Sequence, residues 1–281
     1  MRRPCLPGLT LLLAAALAAA EAPRPSTASD RVEVLSPPLL HPALPFARSL
    51  RIYLPPGYAA SDRDYPVIYL PDGQNLFNDA TSYVGEWGVD EALDALAAEG
   101  FEAIAVGIDH GGERRMQELS PWHNPRFGEP LGAAYLDYLV ETVKPFVDAN
   151  YRTLNGPEST AIVGSSMGGL MAHYALHARP EVFGLAGVLS PSYWYHEAAF
   201  HYPQNRPRPA QARVFLSMGG AEGHEAVAHV EAMERLLRRW PDADGVRLRI
   251  VEAAEHNEAQ WRTLFPEVVR FLYRLPPAQG G

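Results

Sequence analysis

From Val32 onward, hydrophobic positions form short strand-like runs separated by stretches with helical spacing. Val32–Leu35 and Leu50–Leu54 (LRIYL) read as early strands, broken by Pro37-Pro38 and stopped by Pro55-Pro56-Gly57. Tyr65–Leu70 is a β-rich run that Pro71-Asp72-Gly73 ends, and Phe101–Ile108 reads as a buried strand. Between them Val89, Leu93, Leu96 and Ala97 share one helical face, which predicts a helix over 89–98. Tyr135, Leu139, Val143, Phe146 and Val147 predict a long helix over 131–151, with a kink or break at Pro145. The second half predicts strands at Thr160–Val163, Val182–Leu189, Ala212–Leu216 and Val246–Val251, and helices over 170–178, 226–240 and 259–275. Pro203–Pro209 reads as a surface loop. Strands alternating with helices predict an α/β fold. Its mostly parallel central sheet has about eight strands, helices on both faces and an antiparallel edge from the early strands.

The start of the chain breaks this pattern. Arg2 and Arg3 precede an apolar stretch, Leu9–Ala20, that is short for a bilayer span and ends in small residues. Residues 1–20 are expected to be a secretory signal peptide and 21–30 a Pro-rich leader. A single domain is expected over 31–276, with 277–281 as a tail. The expected location is outside the cytoplasm, periplasmic or secreted, with no stable membrane insertion once the signal is cut. Removal of the signal also removes Cys5, the sole cysteine, which excludes disulfides, cysteine metal sites and thiol catalysis.

Composition narrows the partners. Lys plus Arg number 24 against 33 Asp plus Glu, a formal charge of −9, which argues against nucleic acid or anionic lipid. The expected partner is a small-molecule or glycan-linked ester. No P-loop or dinucleotide fingerprint occurs, and no cofactor is expected. His173 and His177 are four residues apart on one helical face, but the Glu of a zinc motif and a third ligand are missing, so no metal is expected.

The segment Gly164-Ser165-Ser166-Met167-Gly168 fits G-x-S-x-G, between an apolar strand and a helical pattern. A strand that turns abruptly into a helix exposes one side chain at a crowded corner, so Ser166 is the candidate nucleophile. A serine hydroxyl needs a base. His256 follows the last predicted strand, where this architecture places its histidine. The acid is expected after Ala212–Leu216. Glu222 has the best placement, with Glu225, Asp242 and Asp244 as competitors. Two backbone N–H groups would form the oxyanion hole: that of Met167, and that of Gln74 in the Asp72–Asn75 loop.

The chain as a whole resembles the putative esterase family of α/β-hydrolases, which includes enterochelin-type siderophore esterases, esterase D-like enzymes and the antigen 85 mycolyltransferases. The stretches that carry the resemblance are YLPDGQNLF (69–77), GEWGVDEAL (85–93), VGIDHGGERRMQELSPW (106–122), VDANYRT (147–153), AIVGSSMGG (161–169) and LSPSYWY (189–195), with GGAE and AAEHNEAQW. It is most similar to the short exported siderophore-esterase-like members. The resemblance implies an α/β-hydrolase fold and acyl chemistry on serine, and by position it supports Ser166, Glu222 and His256.

Tyr193 and Trp194 follow a strand near the expected site, and Trp87, Trp122 and Phe77 lie in loops of the same edge, where they would wall an acyl or aryl pocket or simply pack its rim. Arg115 would hold an anionic substrate group, or pair with Glu118. The expected activity is hydrolysis of carboxylic esters, siderophore-type or carbohydrate-linked, through an acyl-enzyme on Ser166. The alternatives are an acyltransferase using the same acyl-enzyme and a non-catalytic binding protein on a hydrolase scaffold.

Overall fold

The computed structural model describes residues 24–206, 211–239 and 243–277, so the expected signal peptide and nearly all of the tail lie outside the described residues. Ten strands are formed: β1 (Val32–Val34), β2 (Leu39–His41), β3 (Leu44–Arg48), β4 (Leu50–Tyr53), β5 (Val67–Pro71), β6 (Ile104–Ile108), β7 (Thr160–Ser165), β8 (Leu185–Leu189), β9 (Arg213–Gly219) and β10 (Val246–Val251). The helices are α1 (Val89–Ala98), α2 (Arg115–Glu118), α3 (Gly132–Tyr138), α4 (Lys144–Asn150), α5 (Met167–Ala178), α6 (Ala198–Asn205), α7 (His224–Leu237) and α8 (Glu258–Leu272).

Eight strands make one sheet in the order β1-β4-β6-β5-β7-β8-β9-β10. The pairs from β6 to β10 are parallel, while β4 runs antiparallel to both β1 and β6. The inner strands are mostly apolar and buried because helices cover both of their faces. Val67 and Tyr69 of β5 point into the layer of α3, α5 and α7. Ile68 and Leu70 point into the layer of α1 and α8. The edge strand β10 instead alternates polar and apolar residues.

One expectation is refined and another changes. The helical run expected over 131–151 divides into α3 and α4 next to Pro145. One π turn, Leu139–Val143, joins α3 to α4 just ahead of it. Proline has no N–H to return to the previous turn, and a wider turn accommodates that loss. The surface loop expected from Pro203 is helical up to Asn205, with Pro203 buried inside α6, while 207–210 lie outside the described residues. The β2–β3 hairpin has no counterpart among the expected strands.

The strand order places the site. From β5 the chain crosses to β6 on one side, and the later strands from β7 build outward on the other. The loops after β5 and β7 therefore diverge and leave a crevice at their carboxyl ends, where open α/β sheets bind ligands.

Candidate active site

β7 ends at Ser165, and α5 begins at Met167, so the turn is made by Ser166 alone. Ser166 has φ 56° and ψ −121°, a strained conformation for a residue with a Cβ. The corner is crowded: a Cβ on Gly164 would stand 2.5 Å from the backbone of Gly168. The Ser166 N–H donates to Leu189 O at 2.9 Å, and Ser166 O accepts from Ser192 N–H at 3.0 Å, which fastens the turn to the end of β8. Ser166 Oγ lies 3.3 Å from Ser192 Oγ. The first N–H groups of α5, beginning with that of Met167, have no partner within the helix.

Across the crevice, Asp72 ends β5 with a left-handed φ of 61° and leads into the turn Gly73–Asn75. Gly73 packs so tightly on β6 that a Cβ would meet the backbone of Gly107 at 2.7 Å. Arg115 grips Asp72 through Nε at 2.7 Å and Nη2 at 2.8 Å. Gln74 Oε1 accepts from the His110 N–H at 3.2 Å. Three separate anchors thus hold the loop that carries the Gln74 N–H.

His256 lies on the connection from β10 to α8, and Glu222 in the short turn after β9. Glu222 Oε2 is 2.6 Å from His256 Nδ1. Its other oxygen, Oε1, accepts from Ser190 Oγ at 2.6 Å and from the Gly219 N–H at 2.8 Å. Trp261 Nε1–H donates to Ser190 Oγ at 3.1 Å, which leaves the Ser190 proton for Glu222. The Trp261 ring also meets His256 edge-on, at 5.0 Å between centroids. Burial pushes the Glu222 carboxyl up, but the bonds from His256, Ser190 and Gly219 outweigh it and hold the group below the usual carboxylate range. No hydrogen bond joins Ser166 Oγ to His256 in this resting arrangement. Catalytic contacts often close only in the substrate complex.

Ser166 and His256 open into one cavity of about 370 Å³. Its wall includes Leu76, Trp87, Trp261, Tyr83 and Val84 on the apolar side and Asp72, Arg115, His110 and Glu258 on the polar side. This is the small end of the range for ligand pockets.

The cavity brings together Ser166, His256 and Arg115, with Glu222 behind His256; Met167 opens α5 directly after Ser166, and Gln74 lies in the turn after Asp72. Trp87 also reaches the cavity wall, whereas Phe77 is fully buried in the core. Tyr193, Trp194 and Trp122 are not on the cavity wall. Tyr193 is turned into the core, where its hydroxyl meets His173 Nδ1 at 3.0 Å. Trp194 is 57% exposed and packs edge-on against Phe127. Trp122 stacks among Tyr174, His196 and Tyr202. All three follow chain turns that carry them past the crevice. The Arg115–Glu118 pair does not form, because Glu118 is held by the buried Arg48. His173 and His177 sit ring against ring under Tyr193.

Sequence reasoning missed Ser190, Trp261, Glu258, Tyr83 and Val84. Ser190 left one trace: a polar residue at the end of an apolar strand, beside the strand that leads to Ser166. Glu258 and Trp261 left none, since a first-turn carboxylate and an apolar helix position are ordinary.

The family model named Esterase, described as "Putative esterase", matches residues 42–272. "Uncharacterized protein YbbA" of Bacillus subtilis is 28% identical over 240 residues, covering 80% of this chain and 92% of that protein. "Siderophore triacetylfusarinine C esterase" of Aspergillus fumigatus is 31% identical over 201 residues, covering 64% of this chain and 66% of that protein. The crystal structure of BES protein from Bacillus cereus superposes with a TM-score of 0.71 at 21% identity, over 90% of this chain and 99% of that one. A family match over residues 42–272, on a fold that sets a strained serine at the crevice, means that this chain belongs to the Esterase family and is a carboxylic ester hydrolase with the α/β-hydrolase fold.

Proposed function

We propose that Ser166, His256 and Glu222 form the catalytic triad, and that the N–H groups of Met167 and Gln74 form the oxyanion hole. The observation that carries this reading is the shared cavity of Ser166 and His256, with Glu222 bonded to the far side of the imidazole at 2.6 Å. Ser166 Oγ attacks the ester carbonyl while His256 Nε2 takes its proton. The oxyanion rests on the two N–H groups. Collapse breaks the bond to the alcohol, and His256 returns the proton to the leaving oxygen. Water then repeats the sequence on the acyl-enzyme, releasing the acid and restoring Ser166. Glu222 stays ionised and holds the proton of the resting imidazole on Nδ1, leaving Nε2 free to act as the base.

Leu76, Trp87 and Val84 form a compact apolar wall for the acyl group, with Tyr83 at the mouth. The relative named for a siderophore ester supports a siderophore-type substrate. One continuous eight-stranded sheet that takes in every strand but β2 and β3 supports a single domain from 31 to 276. The basic start and the short apolar run support export to the periplasm or the medium. Among the described residues no helix is long and apolar enough to cross a membrane.

The test is reaction of the purified protein with a fluorophosphonate, followed by peptide mass mapping. One adduct on Ser166, lost in Ser166→Ala together with ester turnover, is the expected result. No adduct on a folded protein refutes the assignment.

A further inference from the structure

Glu258 is the first residue of α8, two positions beyond His256, and it lines the same cavity. It is only 8% exposed. The other carboxylate on this wall, Asp72, is saturated by both arms of Arg115. Glu258 forms no hydrogen bond or ion pair with another side chain among the described residues. Burial pushes its carboxyl up, and it feels His256, Asp72 and Arg115 through space. A structural carboxylate this buried ordinarily has a partner. This one faces open cavity instead.

Its position decides which part of a substrate it meets. His256 must hand a proton to the leaving oxygen, so the alcohol half of the ester lies against His256. Glu258 shares the chain segment of His256 and stands on the alcohol side.

We propose that Glu258 is a specificity-determining residue that accepts a hydrogen bond from a hydroxyl or N–H donor on the alcohol half of the ester, and that it turns away alcohols bearing a carboxylate. The inference rests on the assignment of Ser166 and His256 and adds the chemistry of the leaving group. The preferred substrates are esters of polyols or of amide- or amine-bearing alcohols, above esters of plain alkyl alcohols. No covalent step is added: the carboxylate binds the alcohol half until the alcohol departs.

The experiment uses three butyrate esters, of glycerol, propanol and glycolic acid. All three form the same butyryl-enzyme, so differences in kcat/KM report the alcohol half alone. The wild-type enzyme is expected to prefer the glyceryl over the propyl ester by about tenfold, as one charge-assisted hydrogen bond provides, and to turn over the glycolate ester most slowly. Glu258→Leu should bring the glyceryl-to-propyl ratio close to one. Glu258→Gln, which keeps an acceptor but loses the charge, should retain part of that ratio while raising the relative rate on the glycolate ester. If both variants change all three rates by one common factor, Glu258 acts through His256 or the fold, and the proposal fails. If the variants do not fold, the wild-type ranking decides: equal rates on the three esters overturn it. Failure of the triad assignment looks different, because then no ester turns over and Ser166 takes no fluorophosphonate.

Discussion

Glu222→Gln changes one atom, and its effect can be worked out from the hydrogen bonds around it. In the wild type, Oε1 accepts two donors, Ser190 Oγ–H and the Gly219 N–H, while Oε2 faces His256 Nδ1. The glutamine amide has one acceptor end and one donor end. Its oxygen must take the Oε1 position, because an NH₂ there would oppose the Gly219 N–H. The NH₂ is therefore forced against His256 Nδ1, which becomes an acceptor, and the imidazole proton moves to Nε2. An imidazole protonated on Nε2 cannot take the proton of Ser166. Converting the acid of a serine triad to its amide lowers kcat about 10⁴-fold, equivalent to about 5.4 kcal/mol at about 1.36 kcal/mol per decade. The fold should survive, because both Oε1 bonds remain, and the charge-assisted part of the His256 bond is worth about 1–2 kcal/mol. The assay is kcat and KM on 4-nitrophenyl butyrate alongside a circular dichroism melt. A folded Glu222→Gln enzyme within tenfold of the wild-type kcat would refute the reasoning, and with it the role of Glu222.

Two further outcomes are expected. Gly164→Ala places a methyl 2.5 Å from the Gly168 backbone, where no flexible side chain can yield, so it should cost about 3 kcal/mol and displace the serine turn; a denaturant midpoint and activity equal to wild type would contradict this. Stability should fall with acid. Burial first, and then neighbouring His177, hold His173 neutral well below its ordinary value of 6.5, so the unfolded chain takes up the proton first as pH drops below about 6.5. The loss is at most about 1.4 kcal/mol per pH unit for this group, and Glu222, held below its ordinary 4.5, adds in the same direction below about 4.5. Melts between pH 7.5 and 5.5 should show a weaker slope in His173→Gln, and an unchanged slope would remove His173 as the cause.

Local and periodic features are legible in the amino-acid order alone. The bounds of α1 and β10 follow directly from their hydrophobic spacing, because that spacing reports which face is covered. The turn at Ser166 is legible because a strained corner admits few residue types, which leaves glycine on both sides. His256 and Glu222 are legible because parallel strands bring successive loops to one edge of the sheet, so chain order maps onto spatial order. The aromatic residues are not. Trp122, Tyr193 and Trp194 lie near the site in the chain, but whether such a ring meets a cavity, the core or solvent depends on how its loop is turned by its neighbours.

Fold class and the placement of Ser166, His256 and Glu222 are thus written in composition, period and order along the chain. The support network is not. Ser190, Glu222 and the His256–Trp261 stretch come from three separate segments, and their bonds exist only once β8, β9 and α8 are packed side by side. The same holds for Arg115, whose partner proves to be Asp72, 43 residues away, in place of Glu118 three residues on. Periodicity records burial against one layer, whereas a hydrogen-bond partner depends on distances between segments far apart in the chain. Those distances are set by packing the two helical layers onto the sheet.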